Sequence, residues 1–192
     1  LAEMTSVRVP FGVGIGLGLV SAVLLASVRE PAAAAGKPAS VRELLSVGRV
    51  PIVLVVSLLA MCNQYITWAM THAFVPIYAK ELGADPGDLG MLMSVWQGMM
   101  AVLSYVSPWI TARLGARWTV VAGMALTTVA TMLLPATRSL TVLTVLRGLH
   151  GAGVGMSMPV LMAGAVASVP PKRRGAAMGF YQSIYAIGMV AG

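Results

Sequence analysis

The chain alternates between long apolar stretches and polar links. The apolar stretches cover residues 7–28, 51–79, 89–114, 118–136, 140–169 and 176–192. All but the last approach or exceed the roughly 20 residues that a helix needs to cross the hydrocarbon core of a bilayer. Helices satisfy their own backbone hydrogen bonds in lipid, and these unbroken runs lack the alternation of barrel strands. The pattern predicts an all-α, polytopic membrane protein, a bundle with six spans of which the last is truncated.

The links differ in length, and the longest has internal structure. Four are short, at 80–88, 115–117, 137–139 and 170–175, whereas one extends over 29–50. Within it, Ser40 and Glu43 have the spacing of a capping box, which predicts a short amphipathic helix from residue 41 to about residue 47 on the inner membrane face. We therefore divide the chain into a transmembrane helix at 1–28, a cytoplasmic central loop at 29–50 and a transmembrane bundle at 51–192.

Composition and charge agree with this division. The chain is 58% hydrophobic and 10% charged, whereas about a quarter of the residues in soluble domains are charged. Nine of the 13 Lys and Arg residues lie in 29–50, 113–117 and 170–175. Basic residues of short loops stay cytoplasmic, so we place these three loops in the cytoplasm and the chain in a bacterial-type plasma (inner) membrane, multi-pass. The net charge of +7 resides in these loops, and no nucleic-acid partner is predicted.

The polar residues inside the predicted spans are the candidates for function. All six acidic residues lie in links or at ends, so this segment has no carboxylate proton relay. The second stretch carries one polar helical face, formed by Asn63, Gln64, Thr67, Trp68, Thr71 and His72. Two interpretations stay open for this face: a wall of a solute cavity, or interhelical hydrogen bonds that hold the bundle together.

Further candidates lie on other stretches. Arg147 is ionisable and about 10 Å along its helix, which favours either solute binding and gating or structural anchoring. Gln97, Gln182 and Tyr185 are placed with it in the predicted cavity. Two interpretations stay open for Trp96, a cavity wall or an interface anchor, and two for His150, a functional group or a packed, hydrogen-bonded side chain. Gly151 and Gly155 form a small-xxx-small pair, for which close helix packing is the preferred interpretation.

Five short segments carry a resemblance to a known family. They are 74–78 (FVPIY), 81–84 (ELGA), 113–117 (RLGAR), 170–179 (PPKRRGAAMG) and 180–185 (FYQSIY). Their order resembles the C-terminal half of a major facilitator superfamily transporter, helices six to eleven, in a fragment that lacks its N-terminal half. The resemblance implies that the second stretch lines a central cavity. It also makes Arg113, Gly115 and Arg117 a cytoplasmic loop motif, in which Ala112 replaces the expected Asp.

A rival register exists, because Arg147, Gly148, Gly151 and Gly153 resemble the fourth-helix motif of drug/proton antiporters in the N-terminal half. The two halves of this family are internal repeats, which makes their motifs similar. The additional first helix and its long inner link favour the C-terminal assignment.

The expected function is secondary active transport of a small solute by alternating access, with drug/proton antiporter-like efflux as the main hypothesis. The alternative is uptake or exchange of an organic anion or neutral metabolite. The partners expected are the solute, a coupling ion with the proton as candidate, the lipid bilayer and the missing N-terminal half. No glycine-rich nucleotide loop is present, and no cofactor or metal is predicted.

Hypotheses of another class are a non-transport membrane assembly subunit and an intramembrane hydrolase. The hydrolase would use Ser157 as nucleophile with His150 or His72 as base. Ser157 and His150 are two helical turns apart on one helix, so that pair is too distant for a hydrogen bond.

Overall fold

A computed structural model describes residues 8–28 and 40–192, and these residues form α-helices with short 3-10 and π segments and no β-strand. The chain divides into two compact units, Leu1–Pro38 and Ala39–Gly192. The first unit contains helix α1, Arg8–Ser27, whose described side chains are all exposed within this unit. The predicted start of this stretch at residue 7 and the first half of the link 29–50, residues 29–39, lie outside the described residues.

The second unit is a helical bundle. Its helices are α2 Val41–Val47, α3 Pro51–Trp68, α4 Val75–Glu81, α5 Pro86–Leu114, α6 Ala116–Leu133, α7 Leu140–Ala167 and α8 Arg174–Ala191. Four helices are long and apolar enough to cross a membrane, namely Pro51–Glu81, Pro86–Leu114, Ala116–Ala136 and Leu140–Ala167. Helices α1 and α8 occupy the positions of the first and last predicted stretches. The predicted all-α, polytopic membrane fold is therefore confirmed.

Helix α5 begins three residues earlier than its apolar pattern predicts. Asp85 is the N-cap: its carboxylate accepts from the Asp88 amide at 2.8 Å, and the Asp88 carboxylate accepts from the Asp85 amide at 3.0 Å. Pro86 follows at the first helical position, where its missing N–H costs nothing. Hydropathy alone placed residues 86–88 in the link, so this boundary was wrong because the reciprocal capping box extends the helix.

The helix Pro51–Glu81 is continuous but changes its winding part-way. A π segment, Ala69–Phe74, joins α3 to α4 just before Pro76. A proline cannot donate to the carbonyl four residues earlier, here that of His72, and its ring crowds that carbonyl. The π segment relieves this conflict without ending the helix, and such bulges are frequent at functional sites.

Glycines let α7 touch α5 at the backbone. A Cβ built on Gly151 would overlap the carbonyl oxygen of Trp96, and one built on Gly155 would overlap the carbonyl oxygen of Met100. Only glycine allows so close an approach at these two positions. The predicted small-xxx-small pair is therefore a site of close helix packing.

The opposite side of α7 packs against α6 in the same way. A Cβ on Gly153 would meet the Gly123 carbonyl and Thr127, and a Cβ on Gly123 would meet the backbone of Gly153. Helix α7 thus lies between α5 and α6 and also contacts α3 and α8. Thirteen of its 28 residues are buried, which makes it the central helix of the bundle.

Two apolar clusters lie at the helix ends. The first gathers Val47, Val53, Val169, Ala176 and Ala177, and the second gathers Val75, Ala79, Leu92, Leu134, Leu143 and Leu146. Next to the first cluster, Arg173 donates to the Ser46 hydroxyl at 2.5 Å, and the Ser40–Glu43 capping box is formed at the start of α2. Helix α2 and the link 170–175 therefore meet at one end of the bundle.

Gly151→Ala is expected to destabilise the bundle, because its Cβ must displace the α5 backbone at Trp96. Overpacking of this kind costs about 1–3 kcal/mol. Gly98→Ala is the matched control, since a Cβ there meets open space and the gain in helix propensity is the same. Equilibrium unfolding in detergent micelles measures the difference between the variants, and equal stability would contradict the close contact.

Candidate functional site

The polar face predicted on the second span separates into two rows along the helix Pro51–Glu81. The inner row is buried and consists of Asn63, Thr67 and Thr71. The outer row is half-buried or exposed and consists of Gln64, Trp68 and His72. Residues four apart share a helix face, which explains the two parallel rows. In the outer row, the Trp68 and His72 rings lie 4.5 Å apart between centroids.

The first residue of the inner row, Asn63, joins α3 to α7, and the second, Thr67, bonds to Asn63. The Asn63 side-chain amide donates to the Ser157 hydroxyl at 3.1 Å, and the Thr67 hydroxyl donates to the Asn63 side-chain oxygen at 3.4 Å. Ser157 in turn donates to the Gly153 carbonyl at 2.9 Å. Asn63 therefore makes an interhelical contact of the second interpretation given above, and Thr67 supports it from one turn further along α3.

The third residue of the inner row contacts a buried cation. Arg147 on α7 is 1% exposed, and its Nη2 donates to the Thr71 hydroxyl at 3.1 Å. Its guanidinium carbon lies 5.1 Å from the centre of the Trp96 ring, a cation–π distance. Among the described residues, its Nε and Nη1 atoms have no hydrogen-bond partner.

One turn further along α7, His150 is completely buried beside the same tryptophan. The Trp96 indole N–H donates to Nδ1 of His150 at 3.1 Å. Nε2 of His150 has no partner within the described part of the chain. His150 is bonded to Trp96, and Ser157 to Gly153 and Asn63, so Ser157 and His150 do not form the hydrogen-bonded nucleophile–base pair that a hydrolase would need.

Two cavities border these rows. The larger, about 540 Å³, is lined from four helices, with Gln64 on α3, Met100 and Ser104 on α5, Met158 and Met162 on α7, and Met178 on α8 among its residues. The smaller, about 230 Å³, is lined by Arg147 and Thr71 together with apolar side chains. The pattern of polar residues found Gln64 but missed the methionines, for which the content of 14 Met was the available signal.

Comparison with known families gives a direct result. Residues 56–192 match the sequence profile of the Major Facilitator Superfamily, over more than two thirds of the chain. The chain belongs to this superfamily. Members of the superfamily are transporters of small solutes, so the protein is a transporter and an integral, multi-pass membrane protein. A search of curated proteins gives no match.

The superfamily membership confirms the resemblance seen in the sequence. Gly115, in the predicted loop motif, has φ +81°, a left-handed conformation that glycine adopts without strain, and it ends α5. Arg113 and Arg117 flank it and are exposed, and Arg117 lies over the Trp118 ring at 5.6 Å. The positive φ at this position thus explains why the loop motif has a glycine there.

The other residues that the sequence placed in the cavity do not lie together in the structure. Gln97 on α5 and Gln182 on α8 are exposed, whereas Tyr185 is half-buried with its ring 5.7 Å from that of Tyr181. Their assignment to the cavity stays a prediction. Trp96, which the sequence left undecided, contacts both Arg147 and His150.

The Asn63–Ser157 hydrogen bond is expected to appear as a coupling energy in a double-mutant cycle of Asn63→Ala and Ser157→Ala. Hydrogen bonds between membrane helices are worth about 0.6 kcal/mol, with a maximum near 1.7 kcal/mol. Reversible unfolding in mixed micelles measures the four stabilities. Gln97→Ala paired with Ser157→Ala is the control and should show no coupling; equal coupling in both pairs would exclude the contact.

Proposed function

We propose that this superfamily member is a secondary active transporter that works by alternating access and exports drug-like solutes in exchange for protons. The observation that carries the proposal is the cavity of about 540 Å³ lined from α3, α5, α7 and α8. Its size lies within the range of small-molecule sites, which are mostly apolar with a few polar groups. Gln64 and Ser104 supply the polar groups of this cavity.

The methionines support broad rather than narrow solute selectivity. Met100, Met158, Met162 and Met178 border this cavity. Methionine side chains are flexible and polarizable, and they are common on surfaces that bind several partners. A cavity with adaptable walls suits drug-like compounds of varied shape.

The energy source in this proposal is an ion gradient. The sequence has no glycine-rich nucleotide loop of the Gly-Lys-Ser/Thr type, and its acidic residues lie in links or at ends. The carboxylate that carries a coupling proton would then be supplied by a part of the protein outside these spans, which we expect to be an N-terminal half.

The proposed orientation places α2 and the links 113–117 and 170–175 in the cytoplasm of a bacterial-type plasma membrane. Contact of α2 with the link 170–175 supports a common side for these two segments. The link 170–175 contains Lys172, Arg173 and Arg174, as loops on the cytoplasmic side do, whereas Arg42 and Glu43 of α2 cancel in charge.

A second candidate function has its own support. The buried guanidinium of Arg147 borders the cavity of about 230 Å³, with two nitrogens unpartnered among the described residues. A positive charge in this position favours uptake or exchange of an organic anion. Transport of organic anions in place of the drug-like solutes of the first proposal would select this alternative.

Gln64→Leu and His72→Leu are expected to reduce transport several-fold while the protein remains inserted, because each removes a polar group from the outer row. The assay follows luminal pH in inverted membrane vesicles as candidate drugs and organic anions are added. Thr128→Val is the matched control, an exposed polar residue on α6 away from the polar rows. Wild-type transport by both Leu variants would refute the assignment of the outer row to the solute path.

A further inference from the structure

Arg147, the buried cation of α7, has no anionic partner among the described residues. Arginine stays protonated in proteins, so Arg147 carries its charge at 1% exposure. A charge removed from water costs several kcal/mol unless it is paired and hydrogen-bonded. Thr71 and the Trp96 ring supply one neutral acceptor and one aromatic face. Two of the three guanidinium nitrogens remain without an acceptor in the described part of the chain.

Trp96 also fixes the proton of the neighbouring histidine. An indole N–H can only donate, so Nδ1 of His150 must accept and cannot carry a proton. The neutral imidazole therefore has its proton on Nε2. That N–H is buried and has no acceptor among the described residues. His150 thus adds a third unpartnered donor to the two of Arg147.

These three donors share one side of α7. Residues three apart lie on the same helix face, and Trp96 contacts both side chains from α5. Gly151, on the next position of α7, lets the α5 backbone approach at Trp96. The tryptophan is therefore held in place by packing as well as by its hydrogen bond. Buried N–H donors next to a fixed positive charge favour an oxyanion.

We propose that Arg147, oriented by Trp96 and assisted by His150, binds the carboxylate of an anionic solute. The cavity of about 230 Å³ that Arg147 and Thr71 line provides room for a small carboxylate, and its other walls are apolar. This inference rests on the proposed transport function, because it assigns the carboxylate to a solute. The other source of the same chemistry is a carboxylate side chain of the protein outside the described residues.

Benzoate binding to the purified protein in lipid nanodiscs separates the two sources. Isothermal titration should give one benzoate per chain and no binding of benzamide, which is the neutral isostere. Arg147→Gln should weaken benzoate about ten- to a hundredfold, as expected when charge-assisted hydrogen bonds are lost. Arg147→Lys should weaken it less, because the charge is kept. Arg138→Gln is the control, since it removes an exposed arginine just before α7.

A second measurement tests the orienting role of Trp96. Trp96→Phe keeps an aromatic face for Arg147 but removes the N–H that holds His150. Nitrogen NMR should show His150 protonated on Nε2 in the wild type and a mixture of tautomers in the variant, and benzoate should bind several-fold more weakly. Assignment is direct because the chain has two histidines, His72 and His150.

Absence of benzoate binding to the wild type would overturn the proposal and assign the guanidinium to a carboxylate of the protein. Equal binding by wild type and Arg147→Gln would also overturn it. The transport proposal can fail or survive independently. If vesicles transport a neutral drug and the protein does not bind benzoate, the transport proposal survives and the anion-site proposal is refuted. Benzoate binding without transport of any compound would retain the site and refute transport.

Discussion

Backbone contact between α7 and its neighbours is the constraint on which this structure depends. Gly151 and Gly155 allow the α5 backbone to approach α7 closely, and Gly153 and Gly123 allow the same between α7 and α6. Without a hydrophobic driving force between helices in lipid, such close packing is a main source of association. The same contacts bring Trp96 against α7 and bury the polar groups of that helix. These glycines therefore account both for the close helix packing and for the position of Trp96 beside Arg147 and His150.

The polar groups inside the bundle divide into those that hold helices together and those that remain available. The Asn63 side chain donates to Ser157 on α7 and accepts a hydrogen bond from Thr67. Arg147 and His150 retain donors that no described residue accepts. Unpaired buried donors are costly, so a structure that keeps them points to a ligand or to a further part of the protein. The methionine-lined cavity is a second candidate binding site, and its walls are mostly apolar.

Much of the fold was predictable because lipid imposes a simple rule on sequence. Apolar length alone located the long helices, and the Ser40–Glu43 spacing located α2. Finer features depend on contacts that one-dimensional patterns do not contain. The six polar residues of the second span were predicted as one face, but only Asn63, Thr67 and Thr71 are buried. The partnership of Trp96 with His150 arises from residues 54 apart, and hydropathy gave no sign of the start of α5 at Pro86.

Thiol labelling tests the central proposal, that the outer row borders a water-filled solute path while Asn63 and Thr67 of the inner row are packed. Cys62 is the single cysteine, so Cys62→Ala gives a background for single cysteines at positions 64, 68 and 72 and at 63 and 67. The account predicts that a membrane-impermeant maleimide labels the first set in vesicles, that a transported solute slows this labelling, and that the second set stays unlabelled. Equal labelling of both sets, or labelling of the first set that no transported solute affects, would contradict it.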